Sequence, residues 1–144
     1  MIRPYQHVAL TVSDLDRSVK FYQDIFGFKP VQSMEVSGEE VSRALGLDAV
    51  NLRLKILMMG EYVLELFEYH SPEGSQKAPR PCDVGCMHIA FEVDDLQQAY
   101  RELSAQGVHF NTPPNRNPEG IGWTWWCYLR DPDGVPIELV QINP

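Results

Sequence analysis

Cysteine is scarce here: Cys82, Cys86 and Cys127 are an odd count in 144 residues, which suits free thiols in a reducing compartment better than a disulfide scaffold. Basic residues are outnumbered 12 to 20 by acidic ones, and the net charge of −8 comes without any Lys/Arg cluster, so a nucleic-acid or anionic-membrane partner lacks its electrostatic footprint. No apolar run approaches the roughly 20 residues of a membrane span. The start MIRPYQH is not a basic stretch leading into an apolar one, so no secretory leader is expected and the cytoplasm is the expected compartment. These absences leave small-molecule chemistry. With 44% hydrophobic and 22% charged residues the balance is globular, and the length suits one domain over 1–144.

What is present is a repeat. His88 to Val93, HIAFEV, restates His7 to Val12, HVALTV, and each copy runs into an acidic helix start, Asp14-Leu15 or Asp95-Leu96. In the first copy Val8, Leu10 and Val12 alternate with His7, Ala9 and Thr11, as strand geometry requires, and the larger apolar set should pack on a helix. Leu15, Val19, Tyr22 and Phe26 then follow helical spacing up to the stop at Gly27. Phe28 to Met34 reads as a strand. Ser37 to Leu47 reads as a short helical excursion, either a lid near a cavity or a plain surface feature. Asn51 to Met58 and Tyr62 to Tyr69 are two further strands joined through Met59-Gly60-Glu61.

Module 1 is therefore β-α-β-β-β over 1–70. Residues 71–85, SPEGSQKAPRPCDVG, form a Pro/Gly-rich linker, and module 2 occupies 86–144. It repeats the order: strand Met87 to Val93, a helix capped by Asp94-Asp95 and stopped at Gly107, a short strand Val108 to Asn111, and a loop Thr112 to Gly122. Strands Trp123 to Leu129 and Val135 to Ile142 complete it, joined by the Asp131-Pro132-Asp133-Gly134 turn.

The chemistry sits on matched positions. Leu64-Glu65-Leu66 and Ile137-Glu138-Leu139 each set a carboxylate between two aliphatics; with the aliphatics towards the helices, Glu65 and Glu138 face the other way, as do His7 and His88. A carboxylate flanked by core residues is costly to bury unless paired or bound to a cation. A lone strand His is ordinarily structural and a half-exposed Glu ordinarily solvated, but both types recur in both halves. Two imidazoles and two carboxylates suit one divalent Zn, Ni, Co, Mn or Fe ion with positions left for substrate.

The stretches HVALTVSDLDRSVKFYQDIFGF, LELFEY, MHIAFEVDDLQQAYRELSAQGV and YLRDPDGVPIEL resemble the vicinal oxygen chelate superfamily, which includes glyoxalase I, methylmalonyl-CoA epimerase, extradiol dioxygenases and the fosfomycin and bleomycin resistance proteins. The resemblance implies an α+β fold in which paired βαβββ modules form a curved, cup-shaped mixed sheet with helices outside. It also implies a homodimer and metal ligands at His7, Glu65, His88 and Glu138. The expected reaction is isomerisation, epimerisation or lyase chemistry through an enediolate, with Glu138 or Glu65 moving the proton. Bacterial glyoxalase I carries Arg and Asn where this chain has Thr11 and Tyr69, which implies a substrate other than a glutathione adduct. A non-catalytic drug- or metabolite-sequestering protein and an Fe(II) ring-cleaving dioxygenase are the alternatives.

Substrate-lining residues are expected at Thr11, Phe67 and Tyr69, and on the tryptophan strand. There alternation sets Trp123 and Trp125 on one face and Trp126 and Tyr128 on the other; Trp123 and Trp125 are taken as the wall. Arg53, Arg116 and Arg130 are minor candidates for anion contacts, and Cys82-x3-Cys86-x-His88 departs from ordinary zinc spacing.

Overall fold

In both copies of the repeat the alternation is realised: Val8 and Leu10 in β1 (Val8–Thr11), and Ile89 and Phe91 in β5 (Ile89–Glu92), are half-buried while their neighbours are exposed. The computed structural model describes residue 1, residues 3–118 and residues 122–142, and falls into two units, Met1–Gln76 and Lys77–Pro144. The architecture is α+β, and each unit carries its own four-stranded mixed sheet.

In the first unit the order is β1, α1 (Leu15–Phe26), β2 (Lys29–Ser37), α2 (Glu39–Leu45), β3 (Asn51–Met59) and β4 (Tyr62–Ser71). Strands lie in the order β1-β4-β3-β2, with β1 parallel to β4 and the other pairs antiparallel. Asp14 caps α1 by accepting from the Arg17 N–H at 2.9 Å, and Gly27 ends the helix at φ 77°, a left-handed conformation that suits a residue without Cβ. The helix buries Leu15, Val19 and Tyr22, and Tyr22 packs edge-on against Phe21 and Phe28. On the sheet, Leu57, Leu64 and Leu66 are fully buried.

The second unit repeats the plan with β5, α3 (Leu96–Ala105), β6 (Asn115–Arg116), β7 (Trp125–Arg130) and β8 (Pro136–Gln141), in the order β5-β8-β7-β6. Asp95 caps α3 through the Gln98 N–H, again at 2.9 Å. Leu96, Leu129, Ile137 and Leu139 are buried. Among the described residues no helix is long and apolar enough to cross a membrane.

Two sequence expectations shift. The strand expected over Val108–Asn111 is reduced to a bridge between Phe110 and Leu129, flanked by Asn111 N–H to Tyr128 and Arg130 N–H to His109 bonds, and the fourth strand is instead β6. Pro113 and Pro114 lack the N–H a ladder needs, so pairing stops and resumes at Asn115. The tryptophan strand starts at Trp125 rather than Trp123. The expected loop Thr112–Gly122 includes residues 119–121, which lie outside the described residues.

A tie that sequence reading passed over joins each last strand to its helix. Glu68 of β4 accepts from the Leu15 N–H at 2.6 Å, and Gln141 of β8 accepts from the Leu96 N–H at 2.9 Å, each satisfying a donor that a helix start leaves open. Glu68 also takes two hydrogen bonds from Arg53, each at 3.1 Å. Burial by itself pushes the Glu68 carboxyl up, but the Leu15 N–H and the Arg53 guanidinium outweigh it and hold it below the ordinary 4.5.

A depressed carboxyl contributes stability that is fully present above the unfolded value and lost as pH falls through the folded one. Glu68→Ala is therefore expected to cost about 1–3 kcal/mol at neutral pH, with the gap from wild type narrowing below pH 4.5. Urea unfolding at pH 7 and pH 3 checks it; an equal gap at both pH values contradicts the assigned tie.

Candidate functional site

Each sheet has one face under its helix and one open face, and strand register decides what the open face carries. In the first unit Ala9 pairs with Glu65 and Thr11 with Phe67, while Val8 pairs with the buried Leu64. His7, one residue before Val8, therefore lies on the Glu65 side. Its Nε2 is 3.6 Å from Glu65 Oε2, and the carboxylate is the more enclosed partner, 17% exposed against 40% for the ring. Nδ1 is in hydrogen-bond contact with the Gln6 side-chain oxygen.

The second unit repeats the pair. Ala90 aligns with Glu138, and His88 Nε2 is 3.2 Å from Glu138 Oε2, with the carboxylate 12% exposed. Here a further group enters. Tyr128 pairs with Glu138 across β7 and β8, its hydroxyl lies 3.3 Å from His88 Nε2, and its ring meets the imidazole edge-on at 5.2 Å. Burial first, and then the charge and hydrogen bond of Glu138, push the Tyr128 phenol up, so it remains a neutral hydroxyl.

The remaining expected residues sort by face. Thr11 and Phe67 lie beside Glu65. Tyr69 lies further along the same face, where it and Phe67 pack on the buried cluster Val50, Leu52 and Leu54 together with Val41 of α2. The excursion thus covers that end of the open face, tied down by Ser42 Oγ, which accepts from the Val50 N–H at 2.9 Å and donates to the Gly38 carbonyl at 2.7 Å.

Trp125 is placed elsewhere: it pairs with Gln141, whose side chain reaches the start of α3, so Trp125 shares the helix side with buried Cys127 and Leu129. Trp123 precedes the strand and is 39% exposed. The tryptophan on the Glu138 face is Trp126, 6.0 Å edge-on from Tyr128. The sequence did separate the two faces of this strand; only the pairing with β8 says which of them carries Glu138.

Arg53 is engaged by Glu68 and Asp16, and Arg130 by the Asn111 side chain and the Gly134 carbonyl, so both have structural partners. Among the described residues there is no cluster of three or more His, Cys, Asp or Glu side chains, and the candidate ligands stand as two pairs, one per unit. N and O donors bonded at about 2.0–2.2 Å to one ion sit roughly 3.0–3.5 Å apart; the His88–Glu138 separation of 3.2 Å lies in that range and the His7–Glu65 separation of 3.6 Å just beyond it. Neutral imidazole with carboxylate is a borderline-to-hard donor set for a first-row divalent ion.

The family described as the Glyoxalase/Bleomycin resistance protein/Dioxygenase superfamily matches residues 5–139. A 2-epi-5-epi-valiolone epimerase from an Actinomyces species is 34% identical over 142 residues, covering 94% of this chain and 78% of its own. The crystal structure of a glyoxalase family protein from Bacillus cereus superposes with a TM-score of 0.81 at 19% identity, over 100% of this chain and 97% of that one. A Listeria monocytogenes fosfomycin resistance protein, FosX, solved in a mutant form with Mn(II) and a dihydroxypropylphosphonic acid, superposes at 0.67 with 22% identity, over 97% and 90%.

The side of the sheet that bears the chemistry can be probed through the thiols. Burial first, then the Glu138 charge, push the Cys127 thiol up to about 12, whereas Cys82 is exposed. A thiol-specific reagent at pH 8 is expected to label Cys82 in native protein and Cys127 only in denaturant; equal rates in the native state would show that the helix side is open.

Proposed function

Because this chain belongs to the glyoxalase/bleomycin resistance protein/dioxygenase superfamily, we propose that it is a divalent-metal-dependent epimerase or isomerase, moving a proton at a carbon next to a carbonyl. His7, Glu65, His88 and Glu138 are the residues that would hold the ion. The observation that carries this reading is the duplicated pair: in each unit one imidazole Nε2 and one enclosed carboxylate share the open face, 3.6 Å apart in the first and 3.2 Å in the second. Two carboxylates also match the charge of one divalent cation, which offsets the cost of enclosing them.

When bound, the ion supplies Lewis acidity to a substrate carbonyl or hydroxyl oxygen, which makes the adjacent C–H more acidic. The chain supplies the rest. Glu65 or Glu138 takes the proton and returns it to carbon, to the other face for an epimerisation. Phe67 and Thr11 lie beside Glu65, and Trp126 and Tyr128 beside Glu138, so aromatic surface next to each carboxylate can receive the C–H face of a ring and keep water from the carbanionic carbon. Thr11, with no guanidinium for a glutathione carboxylate, turns the reading towards an uncharged ring ketone, and the Actinomyces relative is named for 2-epi-5-epi-valiolone.

The test is elemental analysis of wild type and of a His7→Ala/His88→Ala variant, followed by incubation of metal-loaded protein with 2-epi-5-epi-valiolone in heavy water. About one equivalent of transition metal, lost in the variant, is expected, with deuterium entering the carbon next to the carbonyl. Protein that takes up no metal on reconstitution overturns the enzyme reading in favour of a sequestering role. Metal without exchange overturns the ring-ketone substrate.

A further inference from the structure

Independently of any metal, we infer that Cys82 and Cys86 are a modification site, a thiol pair that a small disulfide such as glutathione disulfide closes into a reversible bond at the entry to β5. Both cysteines sit in the segment that leads into that strand, and the segment is folded back on itself. The Asp83 N–H donates to the Arg80 carbonyl at 2.9 Å and the Cys86 N–H to the Asp83 carbonyl at 3.0 Å, so two turns, 80–83 and 83–86, share Asp83. The Asp83 carboxylate locks the first turn by accepting from the Arg80 N–H and from its guanidinium, both at 2.8 Å. Gly85, the third residue of the second turn, makes the reversal at φ 91°, a conformation that residues with a Cβ rarely adopt. Cys82 stands just before that turn and Cys86 ends it. A hydrogen-bonded turn keeps its end Cα atoms within about 7 Å, which brings the two cysteines towards the roughly 4.4–6.8 Å Cα spacing that a disulfide takes.

The two thiols also differ in the way this chemistry needs. Cys82 is exposed, whereas Cys86 is half-buried, its Sγ 3.7 Å from the Pro79 carbonyl oxygen and 3.9 Å from that of Met87. The exposed sulfur meets an external disulfide first, and the half-buried one resolves the adduct. The Cys82 sulfur displaces one glutathione thiol and becomes a mixed disulfide; the Cys86 sulfur then attacks the Cys82 sulfur and displaces the second. Two protein thiols are oxidised, one glutathione disulfide is reduced, and the two protons leave on two glutathione thiols. Closure also reaches the open face. To bond Cys82 the Cys86 sulfur turns from the Pro79 and Met87 carbonyls, and Met87 is the single residue between Cys86 and His88, whose Nε2 is 3.2 Å from Glu138.

The full chain, with no metal added, is incubated with glutathione disulfide at pH 8 and followed by intact mass and by the mass of the peptide that carries both cysteines. Wild type is expected to pass through one glutathione adduct, on Cys82, to a form lighter than the dithiol by two hydrogens, which dithiothreitol reverses. Cys86→Ser is expected to stop at the Cys82 adduct, and Cys82→Ser to take up glutathione more slowly than Cys86→Ser does. Gly85→Ala is expected to form the adduct at the wild-type rate but to close about 5–30-fold more slowly, because an L residue resists the left-handed turn. The imidazole proton signals of His88, assigned with a His88→Ala variant, are expected to shift on oxidation. A Cys82 adduct that persists in wild type, closure no faster than in denaturing urea, or Gly85→Ala closing at the wild-type rate overturns the site. A disulfide that leaves the His88 signals unmoved overturns its link to the open face.

Discussion

Everything on the open faces depends on the register of the last strand in each unit. Leu64 and Leu66 in one, and Ile137 and Leu139 in the other, are at most 2% exposed, and each such burial stabilises by roughly 1.5–3 kcal/mol. A slip of one residue would turn both aliphatics of a strand outwards and drive Glu65 or Glu138 under a helix. The tie from the same strand to the helix start, Glu68 to Leu15 or Gln141 to Leu96, fixes that register from the polar side as well. The carboxylates are thus placed by forces with no connection to their chemistry, and they can be held partly enclosed without help from their own interactions.

This explains which parts of the molecule were legible in the sequence. The helices α1 and α3, their Asp caps, the sequence repeat and the facing of Glu65 and Glu138 all follow from local period and capping chemistry, which neighbouring residues spell out. The excursion α2 was legible too, bounded by Gly38 and Gly46, although whether it covered anything was not. What stayed hidden depends on partners distant in sequence. Glu68 meets Leu15 across 53 residues, and Tyr128 meets His88 across 40. Trp125 and Trp126 were separated correctly by alternation, but choosing between them needs the pairing of β7 with β8, which period alone does not contain. The strand at Asn115 was hidden for the converse reason: its local composition is that of a loop, and only the partner strand makes it pair.

The two units share a frame and differ in what they hang on it. Along the open face of the first, Glu65 is followed by Phe67 and Tyr69, with Leu54 and Leu52 across the ladder and Val41 packed above them. In the second, Glu138 is neighboured by Tyr128 and Trp126, and Arg130 lies one step beyond, its guanidinium held by Asn111. The first face is the richer in aliphatic side chains, and the second carries the cation. The repeated frame puts a His/Glu pair at the same place in each unit, and what differs between the copies is the set of side chains on the neighbouring strands.

The Phe67 and Tyr69 side of the first unit is also stiff. Phe67 and Tyr69 do not stand free: their rings are 6.5 Å apart, and both pack on a cluster whose Val50, Leu52 and Leu54 are 6% exposed or less. Ser42 fastens α2 to the start of β3 through Val50, so moving the wall means breaking a buried hydrogen bond as well as apolar contact. A close-packed wall of this kind resists one extra methylene more than it resists a change of polarity at its edge. A larger side chain at Phe67 therefore has little slack beneath it, because Leu54, its partner across the ladder, is only 6% exposed.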